Sequence, residues 1–596
     1  MNALDLHLQA AVAATCASTF GDGPAAADVQ ITRTRKEFRG DRTVVVFPLT
    51  RYARLSPEAT ATTLGEALVA ADPRIVGFEV VKGFLNLEVD RRFWGEALEQ
   101  AVQNPHFGLE PAGSKPLVMV EYSSPNTNKP LHLGHLRNNF LGYSVARLLE
   151  AVGHTVVKVQ IINDRGIHIC KSMWAWRMHG AGETPATSGM KGDKLVGKYY
   201  VLFDTLLKAQ TAEGIAAGFS PEMAAEQAPA MVGARELLQQ WEAGDPEVME
   251  LWRTMNGWVY AGFEETYREM GVDFDKLYYE SDTYLLGKDE VLRGCEAGVF
   301  ERRPDGSVWV DLREEGLDEK LLLRKDGTAV YMTQDIGTAI LRFREYPGLD
   351  RQIYTVGNEQ EYHFKVLFAV LARLGFEQAK RCAHLSYGMV ELPDGKMKSR
   401  EGTVVDADDL MAEMIATARQ MAEELGKTDG MTEAERDLLH RQVGLGALKY
   451  YLLKVSPAKS MLFDPAASID FIGHTGPFIQ FNRVRAVSVL RNAGGVPDGL
   501  PLDAARRWDD EESDLVQTAL GLPEAIAAAA ATHDPSTLAQ FAYDTAKAFS
   551  RWYQDHPVLN ETDPELRALR LAICALVDRA LDRSMSLLGI DMPERM

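Results

Sequence analysis

Cysteine is scarce in this sequence. Five residues in 596 (Cys16, Cys170, Cys295, Cys382, Cys574) are scattered, with no C-x-x-C pair. This excludes a disulfide framework, offers no local zinc site or other metal ligand set, and points to a reducing, cytoplasmic compartment. Long apolar runs are also missing: no segment approaches the roughly 18 apolar residues of a membrane span. The run Ala525 to Ala531 is mostly alanine and reads as a buried helix, so no membrane partner is expected. Residues 1–21 carry no Lys or Arg ahead of their apolar residues, which is not the build of a secretory leader. Nor is there an excess of positive charge. The 64 Lys and Arg stand against 85 Asp and Glu, a formal net of −21, which excludes a protein that coats nucleic acid through a general basic surface. Gly and Pro are used at near-average levels, so neither a collagen-like nor a low-complexity chain fits.

What remains is globular composition, enough at about 100–200 residues per domain for three or four domains. Residues 1–110 mix helical patterning with short β-rich runs and read as a small α+β domain. A P-A-G-S-K linker then precedes Leu117 to Tyr122, a continuous apolar run of the kind that forms a buried parallel strand. Phe140, Leu141, Val145, Leu148, Leu149 and Val152 follow at helical spacing, and Thr155 to Ile162 is β-branched, which completes a βαβ unit. The predicted fold is therefore α/β plus α. A doubly wound, Rossmann-type parallel sheet (111–180 and 321–405) is split by a helical insertion (181–320), and a helical domain occupies 406–596. Strands are expected at Gln352 to Val356 and Ala383 to Leu392. Helices are expected at Glu433 to Lys454, Phe478 to Asn492, Leu538 to Asp555 and Glu565 to Leu588.

The stretch from Glu121 to His135 (E-Y-S-S-P-N-T-N-K-P-L-H-L-G-H) lies between the first strand and its helix, at the sheet edge where ligands of open α/β proteins collect. His132 and His135 fall within the first helical turn, Gly134 leaves room for a flat ring, and Lys129 adds a cation. With the helix N-terminus, this set suits a nucleotide phosphate. The string resembles the signature of class I aminoacyl-tRNA synthetases and is specifically similar to arginyl-tRNA synthetases. A second basic loop, Asp394 to Gly402, lies one domain later and is similar to that class's lysine-rich signature loop. Lys396 fills its first lysine position, while Ser399 stands where the second lysine is usual and Lys398 where the preceding serine is usual. Lys129, Lys398 and Arg400 are the candidates to replace the missing lysine.

The resemblance implies a set of roles. ATP, accompanied by Mg2+, would be bound by His132, Gly134, His135, Lys396, Met397, Lys398 and Ser399, with Lys129, His132, His135 and Lys396 catalytic. L-arginine would be held by Glu121, Ser124, Asn126, Tyr331, Asp335 and Gln360. A guanidinium carries five donors and no acceptor, so carboxylates at the sheet edge suit it. The partner would be tRNA(Arg), with arginine activation ordinarily needing bound tRNA. From His440 to Gly495, seven Lys and Arg face two acids among aromatic residues, a mix suited to RNA. Gly446 to Leu453 resembles the helix that names the family's anticodon-binding domain, and Lys449, Tyr450, Arg483 and Arg485 are the RNA candidates there. Residues 1–110 resemble the module that touches the tRNA elbow, with Arg33, Arg35, Lys36, Arg39 and Arg42 as phosphate contacts. The ending Leu587 to Met596 also resembles the family, so the chain reads as complete, and a monomer is the default. The alternatives are a class I synthetase of another specificity and a tRNA-binding paralogue without catalysis.

Overall fold

The computed structural model describes residues 3–391, 405–424 and 430–596. In the N-terminal region β1 (Ile31–Arg33), β2 (Arg42–Val45), β3 (Ile75–Val81) and β4 (Phe84–Val89) form an antiparallel sheet in the order β1-β2-β4-β3. The helices Ala3–Phe20 and Pro57–Ala71 bury Leu8, Val12, Leu64 and Leu68 in one cluster with Val44, Leu85 and Leu87. Ser56 caps the second helix by accepting from Ala59 N–H.

The next domain is built on β5 (Lys115–Glu121), β6 (His154–Ile162) and β7 (Lys276–Tyr279). A small antiparallel sheet of β8 (Glu301–Arg302), β9 (Val308–Val310) and β10 (Lys320–Leu323) follows, and then β11 (Leu349–Gly357) and β12 (Ala383–Tyr387). The central sheet is parallel, in the order β12-β11-β5-β6-β7. Its register pairs Glu121 with Val159 and Tyr354, and Ile162 with Tyr279, so the carboxyl ends of these strands share one edge. Helix Leu133–Ala151 crosses from β5 to β6 in very close contact: a Cβ added at Gly142 would lie 2.2 Å from Tyr122 Cβ.

Segment 181–320 departs from the helical reading. Its long helices run to Met270, after which the chain returns to the central sheet as β7, adds the helices Glu280–Thr283 and Leu286–Glu296, and then forms the β8–β10 sheet. The four-residue strand K-L-Y-Y is too short for periodicity to separate it from its helical neighbours.

Beyond Asp406 the expected helices form, each within three residues of the predicted bounds: Glu433–Leu453, Gly476–Ala493, Leu522–Thr532, Pro535–Asp555 and Pro564–Leu587. Residues 510–532 are long and apolar enough on composition to cross a membrane. They nevertheless form two helices, Asp510–Ala519 and Leu522–Thr532, broken at Leu520–Gly521 and begun by three acids. Their buried Leu515, Val516, Ile526 and Ala529 join Phe549 and Trp552 in the bundle core.

Candidate active site

The chain leaves β5 through a strained turn. Ser123 adopts φ 59°, in the left-handed region that costs an L residue about 1–3 kcal/mol. Two bonds hold it there: its N–H donates to Asn138 Oδ1 at 2.6 Å, and its hydroxyl shares a 2.7 Å bond with that of Tyr267. Asn138 also donates to Thr355 O at 2.7 Å and to the Tyr387 hydroxyl at 3.1 Å, bracing β5, β11 and β12 at one edge. Beyond it, Asn163 N–H donates to Pro125 O and Thr127 N–H to Asn163 O, so the loop runs along the end of β6. Ser124 is half-buried and Asn126 exposed.

The two histidines cap their own helix reciprocally. His132 Nδ1 accepts from Gly134 N–H at 3.1 Å, and His135 Nδ1 accepts from His132 N–H at 3.1 Å. A backbone N–H can only donate, so neither Nδ1 carries a proton, and each neutral ring bears its proton on Nε2. Burial, aided by Lys129, lowers the His132 pKa to about 4. Burial, then His132 and Lys129, holds His135 well below its ordinary value. With ring centroids 4.0 Å apart, the pair offers two uncharged N–H donors. The Gly134 N–H, by contrast, is spent on His132.

Lys396, Met397, Lys398 and Ser399 lie outside the described residues, as does Arg400. The segments flanking them reach the histidine turn. On one side Leu133 N–H donates to Val405 O, Ala407 N–H donates to Leu131 O, and His132 pairs with Asp406 in an antiparallel bridge. On the other, Arg137, fully buried, donates to Gly388 O at 2.7 Å and to Lys459 O at 2.8 Å. That places it beside the turn that joins β12 to β13 (Val390–Glu391), which pairs with β14 (Met461–Leu462).

The acidic pocket differs from the sequence reading. Glu121 is buried in an ion pair with Arg342, whose guanidinium lies over the rings of Tyr278 and Tyr354. Glu121, expected among the arginine ligands, thus has Arg342 as its partner in this structure. Tyr331 and Asp335 do share a face of the helix Tyr331–Glu345, but Tyr331 is 79% exposed. Asp335 Oδ2 is held by His363 Nε2 at 2.6 Å. Gln360 is exposed in the turn after β11. Sequence reasoning missed Glu280, which follows β7 at the same edge. Its carboxyl is pushed up to about 7 by burial and by Asp164 and Asp335, against the pull of Arg165. Reading Lys276–Tyr279 as a sheet strand would have put an acid at its carboxyl end and found it.

Three of the four RNA candidates in the helical domain turn inward. Lys449, 4% exposed, donates to Gly589 O at 2.6 Å. The buried Tyr450 donates to Ala539 O at 2.8 Å. Arg483 binds Asp578 at 2.7 Å and the carbonyls of Met592 and Pro593. Each fastens helices together and is removed from the RNA surface. Arg485 stacks on Phe481 at 4.3 Å and lines a groove of about 310 Å³ with Phe471, Ile472 and Phe478. In the N-terminal cluster Arg33 and Lys36 pair with Asp514, Arg39 with Glu88, and Arg42 with Asp5.

A parallel sheet whose carboxyl edge carries a capped histidine turn, stitched to a distant segment and flanked by a helical domain, is the architecture of a class I aminoacyl-tRNA synthetase. Known proteins make the class specific. Residues 98–464 match the family described as tRNA synthetases class I (R), catalytic domain, and residues 479–596 match the DALR anticodon binding domain. An arginine–tRNA ligase of Parabacteroides distasonis is 53% identical over 598 residues, covering 100% of both chains. That of Flavobacterium psychrophilum is 50% identical, covering 95% of this chain and 96% of its own. Among solved structures, Thermus thermophilus arginyl-tRNA synthetase superposes with a TM-score of 0.81 at 26% identity, covering 100% of each chain. The chain belongs to the arginine–tRNA ligase family.

Proposed function

We propose that this chain activates L-arginine with ATP and transfers it to the 3′ end of tRNA(Arg), working in the cytoplasm as a monomer. The arginine carboxylate attacks the α-phosphorus, the bond to the β-phosphate breaks, and pyrophosphate leaves. A terminal ribose hydroxyl then attacks the carbonyl carbon of arginyl-adenylate, and AMP departs. No protein nucleophile is needed, only pre-aimed donors at the developing charge.

The observation that carries this reading is the reciprocal His132–His135 cap, which frees two Nε2–H donors at the sheet edge beside Lys129. This donor set suits phosphate oxygens and not a cation, so Mg2+ fits here as the companion of the triphosphate, whose charge it neutralises when bound. Asp335 and Glu280 are the carboxylates we assign to the guanidinium, with Tyr331, Gln360, Ser124 and Asn126 around the rest of the amino acid. Arg485 and the aromatic groove beside it are the RNA contact we retain.

Amino-acid-dependent ATP–pyrophosphate exchange, run with and without tRNA, tests the proposal. Exchange and aminoacylation with arginine alone are expected. Stimulation by another amino acid would make the chain a synthetase of different specificity. tRNA binding without exchange would make it a non-catalytic relative.

A further inference from the structure

The first long helix of the insertion, Gly192–Ala216, lies against both strands of the bridge at the histidine turn. On one side it meets the turn itself: a Cβ at Gly197 would come within 2.8 Å of Pro130 Cδ, next to Lys129. On the other, two lysines at its start grip the returning segment. Lys191 Nζ donates to Asp408 Oδ2 at 2.6 Å and to Thr266 Oγ1, and Thr266 donates to Asp408 Oδ1 at 2.9 Å. Lys194 Nζ lies 2.7 Å from Asp409 and 3.5 Å from Asp406. Asp406, which pairs with His132, also accepts from the N–H groups of Asp408 and Asp409 and so fixes the bend at this point. Lys191 and its partners Asp193, Asp408 and Thr266 are largely withdrawn from solvent, where an ion pair holds its geometry far better than at the surface.

We propose that Lys191 and Lys194 are positioning residues for the nucleotide turn. Through the strap 405–409 they set where Lys129 and His132 meet ATP, and this gives the insertion a task in catalysis. The proposal rests on the ligase reading above. It differs from plain stabilisation because the grip acts on one substrate's side of the site and leaves the arginine carboxylates untouched.

The test is aminoacylation by the full chain, with thermal melting in parallel. Lys191→Met should raise the ATP KM or lower kcat on the order of tenfold to a hundredfold, the usual cost of a small misplacement. The arginine KM should stay near wild type, and Lys208→Met, farther along the same helix, should change nothing. The triple variant K191M/D193N/D408N, which neutralises both carboxylates paired with Lys191, should be as impaired as K191M, because these residues act as one grip. Recovery of the triple variant to wild-type ATP kinetics would show that only unpaired buried charge was at fault, and would overturn the proposal. If K191M does not fold, K194D and the charge swap K194D/D409K decide instead. Loss of ATP affinity in the first, restored in the second, is expected, and unchanged ATP kinetics in both would sink the idea. An inert wild-type enzyme would instead condemn the ligase reading.

Discussion

At the scale of single residues the site is defined by what its side chains have already given up. His132 spends Nδ1 on the helix cap, so only Nε2–H faces chemistry. His132→Asn should separate the two duties, because asparagine is as good a cap but offers no donor at the Nε2 position. Its kcat should fall about 10²–10³-fold, with little change in melting temperature at pH 7. Its pH dependence should change as well. The folded pKa of about 4 lies below the ordinary histidine value near 6.5, so between these values the unfolded chain binds the extra proton and stability falls as pH drops. Acid titration of stability should lose part of that slope in the variant. Glu280 has the opposite sign. Its folded pKa, about 7, lies above the usual carboxylate range, so the apo protein loses stability as pH rises from about 4.5 to 7, and Glu280→Gln should stabilise it at pH 8. If the ionised form binds guanidinium, the arginine KM should drop roughly tenfold between pH 6 and pH 8, and the glutamine variant should abolish that drop. A flat profile in the wild type would remove Glu280 from the pocket.

At the scale of elements, the Glu121–Arg342 pair pins the helix Tyr331–Glu345 to the end of β5. Tyr331 and Asp335 ride on that helix, so the placement of both depends on this pair. Arg342→Met leaves a buried carboxylate alone and should cost about 3–5 kcal/mol in urea unfolding. Adding Glu121→Gln should recover much of the loss, and a double variant no better than the single would show that the pair is not the pin. The elements legible in the sequence were those with a strong period or a long run. The βαβ unit from Lys115 to Ile162 and the helices beyond Asp406 appear where expected, because burying a face repeats a pattern over ten or more residues. The strand Lys276–Tyr279 was illegible because four residues hold no period, and Glu280 was missed with it. The histidine turn was legible as a motif. Its reciprocal cap, and with it the tautomer of both rings, exists only once the helix forms. The pairing of Glu121 was not legible because Arg342 lies 221 residues away in sequence, on a helix that only the fold brings to the end of β5.

For the whole molecule, the question is how a chain of net charge −21 engages a polyanion. Counting cations along the sequence overstates the answer, because many are used as internal fasteners. Arg506 binds Asp90 at 2.7 Å and Arg42 binds Gln517 at 2.9 Å, tying the N-terminal domain to the helical one, and Lys449 reaches Gly589 within the helical domain. Arg483 and Arg485, two residues apart on one helix, make the distinction measurable. Arg483 faces Asp578 and the C-terminal carbonyls, whereas Arg485 faces the aromatic groove. Each phosphate contact releases counterion, so Arg485→Ala should weaken tRNA binding severalfold and reduce the slope of log affinity against log salt by about one, with stability unchanged. Arg483→Ala should do the reverse. The loss of a half-buried ion pair and two carbonyl bonds should lower unfolding free energy by about 1–3 kcal/mol, while the tRNA salt slope of the folded protein stays at its wild-type value. A salt slope that responds to Arg483 and not to Arg485 would mean that RNA approaches this bundle from its other side.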